Sequence, residues 1–329
     1  MPVPTISVVV PCYNEEEVLL ELHRRLSDVC VAVCGSDYEL VFVNDGSRDR
    51  TWEIMCQIGE HDPHVVAVNL SRNHGHQLAL SAGLTVAQGD RILILDADLQ
   101  DPPELLGEMM SIMDQGYDVV YGQRTNRPGE TKFKLISAGL FYRVLRWLSE
   151  VDIPVDTGDF RLINRRALDV LLSMPERYRF IRGMVSWIGF RQKALVYERA
   201  ARFGGSTKYP LGKMIRIALD ALTGFSIRPL RAASYLGLAT GAVGLGVLAY
   251  VLTSWLLGHA VVGWTSVMVV VLLMGSAQLF VVGLLGEYLG RLYMEAKRRP
   301  LFVIESIVRA EPTAPTATEA VTGTGSWPR

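Results

Sequence analysis

Two nearly charge-free stretches, Ala232–Leu257 and Val261–Gly286, constrain this chain's fold more than any other feature. Each is long enough to cross a bilayer as a helix. Their connector, Gly258–Gly263, is too short for a folded domain, so the two form a hairpin. His259 is the only titratable side chain between 232 and 286 apart from tyrosine. Arg228 and Arg231 precede the hairpin, and Arg291, Lys297, Arg298 and Arg299 follow it. The positive-inside bias therefore places both ends in the cytoplasm. Gly237/Gly241 and Gly286/Gly290 have the small-xxx-small spacing that allows close helix approach, within the hairpin or in an oligomer. Glu287 falls at the membrane edge.

The preceding residues alternate between two periodicities. Thr5–Pro11 is β-rich and ends in proline, giving strand 1. Tyr13–Glu17 opens a helix with Asn14 as its N-cap and acids in the first turn. Leu19, Leu22, Leu26 and Val29 supply its apolar stripe. Glu39–Val43 is strand 2, Thr51–Ile58 a helix and Val65–Leu70 strand 3. Ser71–Gln77 leads into a helix from Leu78 to Ala87. Strands alternating with helices at this spacing imply a mostly parallel, layered α/β sheet.

The fourth strand runs through Ile92, Leu93, Ile94 and Leu95 and ends in Asp96, Asp98, Gln100 and Asp101, with Pro102–Pro103 beyond. Open α/β sheets bind ligands at the carboxyl ends of their strands. Residues two apart on a regular strand point the same way, so Asp96 and Asp98 would converge. Carboxylates that close repel, and a hard divalent cation is their natural partner. Polar groups also gather at Pro11–Glu15 and Asn44–Ser47, so three strand ends converge. No GxGxxG follows strand 1 and no GxxxxGK[ST] occurs anywhere, which disfavours a dinucleotide dehydrogenase or a P-loop NTPase.

Asp118–Arg124 is a further strand with Arg124 at its end. Lys132–Leu148 carries Phe133, Ile136, Leu140, Val144, Leu145 and Leu148 on one helical face, with Lys132, Lys134, Arg143 and Arg146 among them. That pattern suits a helix lying on a membrane surface. Asp156–Leu162 is a second acidic cluster, and Tyr209–Leu222 repeats the basic amphipathic theme. The net charge of −1 over 329 residues hides an asymmetry. Between Arg199 and Arg231, seven basic residues face only Asp220. Beside apolar spans, such a balance points to phospholipid or a lipid phosphate rather than nucleic acid.

The four cysteines, Cys12, Cys30, Cys34 and Cys56, form no CxxC pair and read as reduced structural residues. His74 and His76 are two apart with no carboxylate nearby in sequence, so loop or helix-start packing suits them better than zinc. No basic region followed by an apolar core opens the chain, so no signal peptide is expected. The tail after Arg309, rich in Thr, Ala, Pro and Gly, reads as disordered.

Taken together, VVVPCYNEEE, VNDGSRDRT, SRNHGHQLAL, LDADLQDPPE, YGQR, DTGDFRL, GGSTK and LLGEYLGRLYMEAKRRP span Ile6 to about Phe302. The joint pattern resembles family-2 glycosyltransferases of the GT-A fold. It is closest to the polyprenyl-phosphate glycosyltransferases, such as bacterial polyprenyl-phosphate glucosyltransferases and dolichyl-phosphate mannose synthases. His74 departs from that pattern, where Phe or another apolar residue is common.

The resemblance implies transfer of a hexose from a nucleotide sugar to polyprenyl (undecaprenyl) phosphate at the cytoplasmic membrane face. Glucose from UDP-glucose is the first choice; GDP-mannose and UDP-GlcNAc are alternative donors. Carried over residue by residue, Pro11, Tyr13, Glu15 and Asp45 hold the nucleoside. Asp96 lies beside ribose and metal, and Asp98 and Gln100 ligate Mg²⁺ or Mn²⁺. Arg202 and Lys208 contact the diphosphate as a basic lid. Arg124, helped by Lys132 or Lys134, steers the acceptor phosphate. Asp159 positions a substrate or acts as base, with Asp156 and Arg161 in secondary roles. Direct attack at the anomeric carbon inverts configuration.

These expectations divide the chain into a nucleotide-sugar core (1–130), an acceptor region with interfacial helices (131–230), a hairpin (231–290), a basic cytoplasmic segment (291–309) and a tail (310–329). They describe a multi-pass protein of the cytoplasmic membrane, with its catalytic domain and both termini in the cytoplasm. A homo-oligomer such as a tetramer is implied by resemblance alone. A processive polysaccharide synthase is the first rival. It needs a QxxRW motif, but position 143, ahead of Arg146–Trp147, is Arg. A membrane scaffold that binds nucleotide sugar or lipid is the second, and it has no need of acids at three strand ends.

Overall fold

A computed structural model describes residues 4–125, 157–198, 228–258 and 263–310. The expected interfacial helices, together with Lys132, Lys134, Asp156, Arg202 and Lys208 and the tail beyond 310, lie outside the described residues.

Eight strands form one mixed sheet in the order β7-β5-β6-β4-β1-β2-β3-β8. Strands β1 (Ile6–Cys12), β2 (Tyr38–Asn44), β3 (Val65–Leu70) and β4 (Arg91–Ile94) run parallel. All seven residues of β1 and of β2 are buried, as expected for central strands covered on both faces. Helices α1 (Leu19–Cys34), α2 (Thr51–His61) and α4 (Leu106–Asp114) border one core around Leu22, Leu26, Phe42, Met55 and Met109. Helices α3 (His76–Val86), α5 (Arg165–Ser173) and α6 (Ile181–Ile188) border the other, around Val9, Val43, Leu80, Ile94, Leu168 and Ile181. Fully burying one such aliphatic side chain contributes roughly 1.5–3 kcal/mol. Close approach of α3 to the sheet requires Gly83, since a Cβ there would lie 2.4 Å from Val9 and 2.8 Å from Val43.

Three further strands extend the sheet past position 130. β6 (Thr157–Asn164) runs antiparallel to both β4 and β5 (Val119–Arg124), and β7 (Gln192–Tyr197) runs parallel to β5. The segment read as an acidic cluster is therefore a buried strand. Strand β8 (Ile304–Arg309) closes the far edge antiparallel to β3, so part of the supposed basic segment 291–309 belongs to the sheet. Because β6 runs against β4, its amino end lies at the edge where β1, β2, β3, β4, β5 and β7 have their carboxyl ends.

Two local expectations are corrected. Helix α1 begins at Leu19 after Val18, not at Tyr13. Asn14 is no N-cap: it adopts φ 57° in a turn, where its Oδ1 accepts from Arg48 N at 2.8 Å. β4 stops at Ile94, so Asp96 and Asp98 lie on the loop beyond it rather than on a pleated strand.

Helices α7 (Arg228–Leu256) and α8 (Trp264–Ala296) contain the apolar spans Leu230–Ser254 and Val267–Ala296. At 25 and 30 residues, both exceed the ~20 needed to cross a bilayer. Gly237, Gly241, Gly286 and Gly290 face open space within the described residues, while Gly244 approaches Met274. The small-xxx-small pairs therefore do not form the contact within the hairpin.

Candidate active site

The loops leaving β1, β2 and β3 are tied by side chains into one rim. Ser47 Oγ accepts from Asn14 N at 3.0 Å, and Thr51 Oγ1 from Glu15 N at 2.9 Å. Asn44 Nδ2 donates to Asn69 Oδ1 at 2.7 Å. Gly46, at φ 65°, is required because a Cβ there would meet Asn73 N at 2.5 Å. Asp45 is buried, and its two oxygens accept from His74 N at 2.7 Å and Gly75 N at 3.0 Å. Burial raises its pKa, and the two N–H bonds only partly oppose that. Asp45 therefore shapes the loop ahead of α3 directly, and any hold on a nucleoside comes after that. Pro11 is buried in β1, while Tyr13 exposes 42% of its surface at the rim.

Asp159 accepts hydrogen bonds from three side chains. Arg182 Nε donates to Oδ1 at 2.8 Å and its Nη2 to Oδ2 at 3.3 Å. Gln77 Nε2 lies 3.0 Å and His76 Nε2 3.1 Å from Oδ2. Gln77 also accepts from Ile181 N at 2.9 Å, fixing α6 against α3. Burial alone would raise the Asp159 pKa, but Arg182 and His76 outweigh it and hold the carboxyl well below its ordinary range. A carboxylate so held is a poor proton acceptor near neutral pH.

Asp96 is the opposite case. Its Oδ1 is buried without a hydrogen-bond partner, with His76 Nε2 3.4 Å away. Burial first, then the charges of Asp159, Asp101 and Asp98, push its pKa up to about 6 although His76 opposes them. Asp159 and Asp96 in turn raise the His76 pKa against the effect of its desolvation. His76, Asp96 and Asp159 thus bring ligand atoms within 4.8 Å of one another. The carboxylates that His76 lacks in sequence arrive from β6 and the β4 loop. Asp98 lies outside that group, and its Oδ1 accepts from Gln100 N at 3.2 Å.

A desolvated Asp96 oxygen without a hydrogen bond, under the nearby charge of Asp98, suits a hard cation. Asp159 suits one less well, because the protein already offsets its charge.

Arg124 closes the site on the β5 side. Its Nη2 reaches Asp101 Oδ1 and Oδ2 at 3.2 and 3.3 Å, and its Nε donates to Tyr197 Oη at 3.2 Å. Arg161 is not at the surface of the site. It is buried behind Asp159 and donates to the carbonyls of Gly158 and Asp159, and burial lowers its pKa to about 10. A direct substrate contact from Arg161 is therefore replaced by support of the β6 backbone. Gln77, Arg182 and Tyr197 are the residues that sequence reasoning missed, and His76 was set aside as loop or helix-start packing. They come from three helices or strands far apart in the chain.

The glycosyl transferase family 2 model matches residues 7–172, and a model named for the GtrB C-terminal hairpin matches residues 228–292. The glycosyltransferase YkcC of Bacillus subtilis is 47% identical over 91% of this chain and 93% of its own length. A prophage bactoprenol glucosyl transferase homolog of Escherichia coli is 37% identical over 92% of this chain and 99% of its own. The SfII prophage-derived bactoprenol glucosyl transferase of Shigella flexneri is 36% identical over 93% and 99% respectively.

Proposed function

Because the chain belongs to glycosyl transferase family 2, with a GT-A type sheet and a carboxyl-terminal hairpin, we propose that it transfers glucose from UDP-glucose to polyprenyl phosphate. The observation that carries this reading is the pairing at one sheet edge of Asp96, whose Oδ1 has no hydrogen bond, with a fully engaged acid, Asp159, in a chain bearing two apolar spans. The names of the bactoprenol glucosyl transferases support glucose and a polyprenyl acceptor.

Asp96, Asp98 and Gln100 would hold Mg²⁺ or Mn²⁺. When bound, that ion offsets the diphosphate charge and stabilises the nucleotide leaving group. The exposed Tyr13 ring at the rim, with Glu15 beside it, receives the nucleoside. The acceptor is a phosphate monoester, whose second pKa of ~6 leaves it mostly dianionic at neutral pH. It therefore needs orientation and charge compensation rather than a strong base. Asp159 meets that need by holding Arg182 and His76 in place, and Arg124 faces the incoming phosphate. Attack at the anomeric carbon from the face opposite the nucleotide inverts configuration. The hairpin keeps this site at the cytoplasmic membrane face, where the long lipid presents its phosphate.

A detergent assay with polyprenyl phosphate, Mn²⁺ and radiolabelled UDP-glucose, UDP-GlcNAc and GDP-mannose tests the proposal. Lipid-soluble label from UDP-glucose, lost in Asp98→Ala and Asp159→Ala, is the expected result. Label from another donor alone overturns the sugar, and donor hydrolysis without labelled lipid overturns the acceptor.

A further inference from the structure

Asp101 is fully buried, yet it lies only three residues beyond Asp98. Its carboxylate accepts from the Tyr197 hydroxyl and from Arg124 Nη2. A buried carboxylate is costly unless paired and hydrogen-bonded, and here a cation and a phenol together meet that demand. The surroundings leave this cluster little room to move. The Tyr197 ring stands edge-on to Phe160 at 5.6 Å, and both rings press on Gly122, where a Cβ would come within 2.7 and 2.8 Å of them. The Tyr197 carbonyl accepts from Thr125 N and Thr125 Oγ1, both at 3.1 Å. On the fourth side is Gly158, where a Cβ would lie 2.6 Å from Arg124 Nη2 and 3.6 Å from Asp101 Oδ2.

The carboxylate thus joins the β4 loop, the ends of β5 and β7, and the start of β6. All described contacts of Arg124 run through Nε and Nη2. Its side chain remains 20% exposed at the edge that carries Asp96 and Asp159. One flank of the guanidinium is committed to the protein and fixes its plane. A guanidinium held this way presents its remaining donors in a set direction, which suits bidentate recognition of a phosphate.

We infer that Asp101 and Tyr197 are positioning residues that lock Arg124 for the lipid phosphate. This rests on the polyprenyl-phosphate reading above. Asp101 also makes the pair electrically neutral overall. Arg124 consequently attracts the phosphate through directed hydrogen bonds more than through net charge, and freeing it costs geometry rather than general electrostatic attraction.

The test uses the full-length protein in detergent and three variants. Asp101→Asn removes the charge and keeps the shape. Tyr197→Phe removes one hydroxyl. Gly158→Ala presses on the flexible guanidinium while its Cβ makes only ordinary van der Waals contact with Asp101, and it keeps both charges of the pair, which Asp101→Asn does not. KM for polyprenyl phosphate, KM for UDP-glucose, kcat and thermal midpoint are measured for each. The expected result is a ~10-fold rise in acceptor KM in Gly158→Ala and Tyr197→Phe, with donor KM changed less than ~2-fold, as removal of an acceptor contact requires. The Gly158→Ala melting curve overlays the wild type, and Tyr197→Phe melts lower because buried Asp101 loses one donor. A purely structural cluster would move both KM values together in both variants. Unchanged acceptor KM in Gly158→Ala and Tyr197→Phe overturns the inference while leaving the proposed function intact. Wild-type protein that labels no lipid at all defeats the proposed function first.

Discussion

Asp96 and Asp159 lie close enough to share His76, yet their surroundings give them opposite stabilities. Asp159 has its charge offset by Arg182, so its ionised form favours the folded state. Removing that charge in Asp159→Asn takes from Arg182 its buried carboxylate partner. We expect a loss of about 3 kcal/mol, at the low end for breaking a buried pair, seen as a lower thermal midpoint at pH 7.5. Asp96 has its folded pKa raised from 3.8 to about 6. Between those values the folded state binds more protons than the unfolded one, so stability falls as pH rises across that window and stays reduced above it. Asp96→Asn should therefore melt higher than wild type at pH 7.5 without metal, by on the order of 1–2 kcal/mol, and lose the slope between pH 4 and 6. Its transfer rate should nonetheless drop by a factor on the order of 10²–10³. Melting curves at several pH values with EDTA, alongside the lipid-labelling assay, check both; a destabilised Asp96→Asn would refute the assignment. Asp96 and Asp159, which the structure brings together around His76, stood out because short motifs carry them. His76 was read as loop or helix-start packing, since it meets Asp159 only across 83 residues of chain.

At the scale of elements, what could be read followed from the strength of each periodic pattern. The central strands are continuous apolar runs and were plain. Strand β6 hid because Asp159 and Arg161 interrupt TGDFRLIN with charges, which pair or bond only once the neighbouring strands are in place. Strand β8 hid because it follows a basic stretch and is mostly exposed at an edge. Asn14 looked like a cap because Asn fits both a helix start and a left-handed turn, and the contact with the β2 loop decides between them. Helix α3 carries His76 and Gln77 to the site, and its height over the sheet is set by Gly83. Gly83→Ala should push the helix from Val9 and Val43, costing about 1–3 kcal/mol as overpacking does. It should also weaken transfer, because Gln77 and His76 would shift relative to Asp159. Denaturant unfolding together with kcat/KM checks this; a stable, fully active variant would mean the helix is free to rise.

For the whole molecule, the question is how the apolar hairpin and the sheet are held as one. Strand β8 returns the chain from α8 to the outer edge of β3, pairing residues 304–309 with 66–70. Phe302 and Ile304 pack against the core that contains Leu80, Leu168 and Ile181, and Val308 packs against the opposite core. The end of α8 also meets the segment before α6. Arg291 lies over the Tyr178 ring at 4.5 Å, and Arg177 donates to the Arg299 carbonyl at 2.5 Å. Two residues on from that segment's Arg179 is Ile181, bonded to Gln77, and then Arg182, bonded to Asp159. The hairpin is thereby tied to the sheet both by a strand and by a short path to the site. Two truncations separate these contributions from the tail. Ending the chain after Ala310 removes only the Thr-, Ala- and Pro-rich stretch and should leave transfer unchanged. Ending it after Leu301 keeps both apolar spans but deletes β8, exposing the edge of β3 and uncovering part of both cores. An unpaired edge strand invites association with other chains, so this shorter protein should insert in membranes yet aggregate on extraction and label lipid at least ~10-fold less. Size-exclusion profiles and lipid labelling of the two truncations decide the matter. Equal activity in both would mean that the hairpin alone holds the catalytic domain in place.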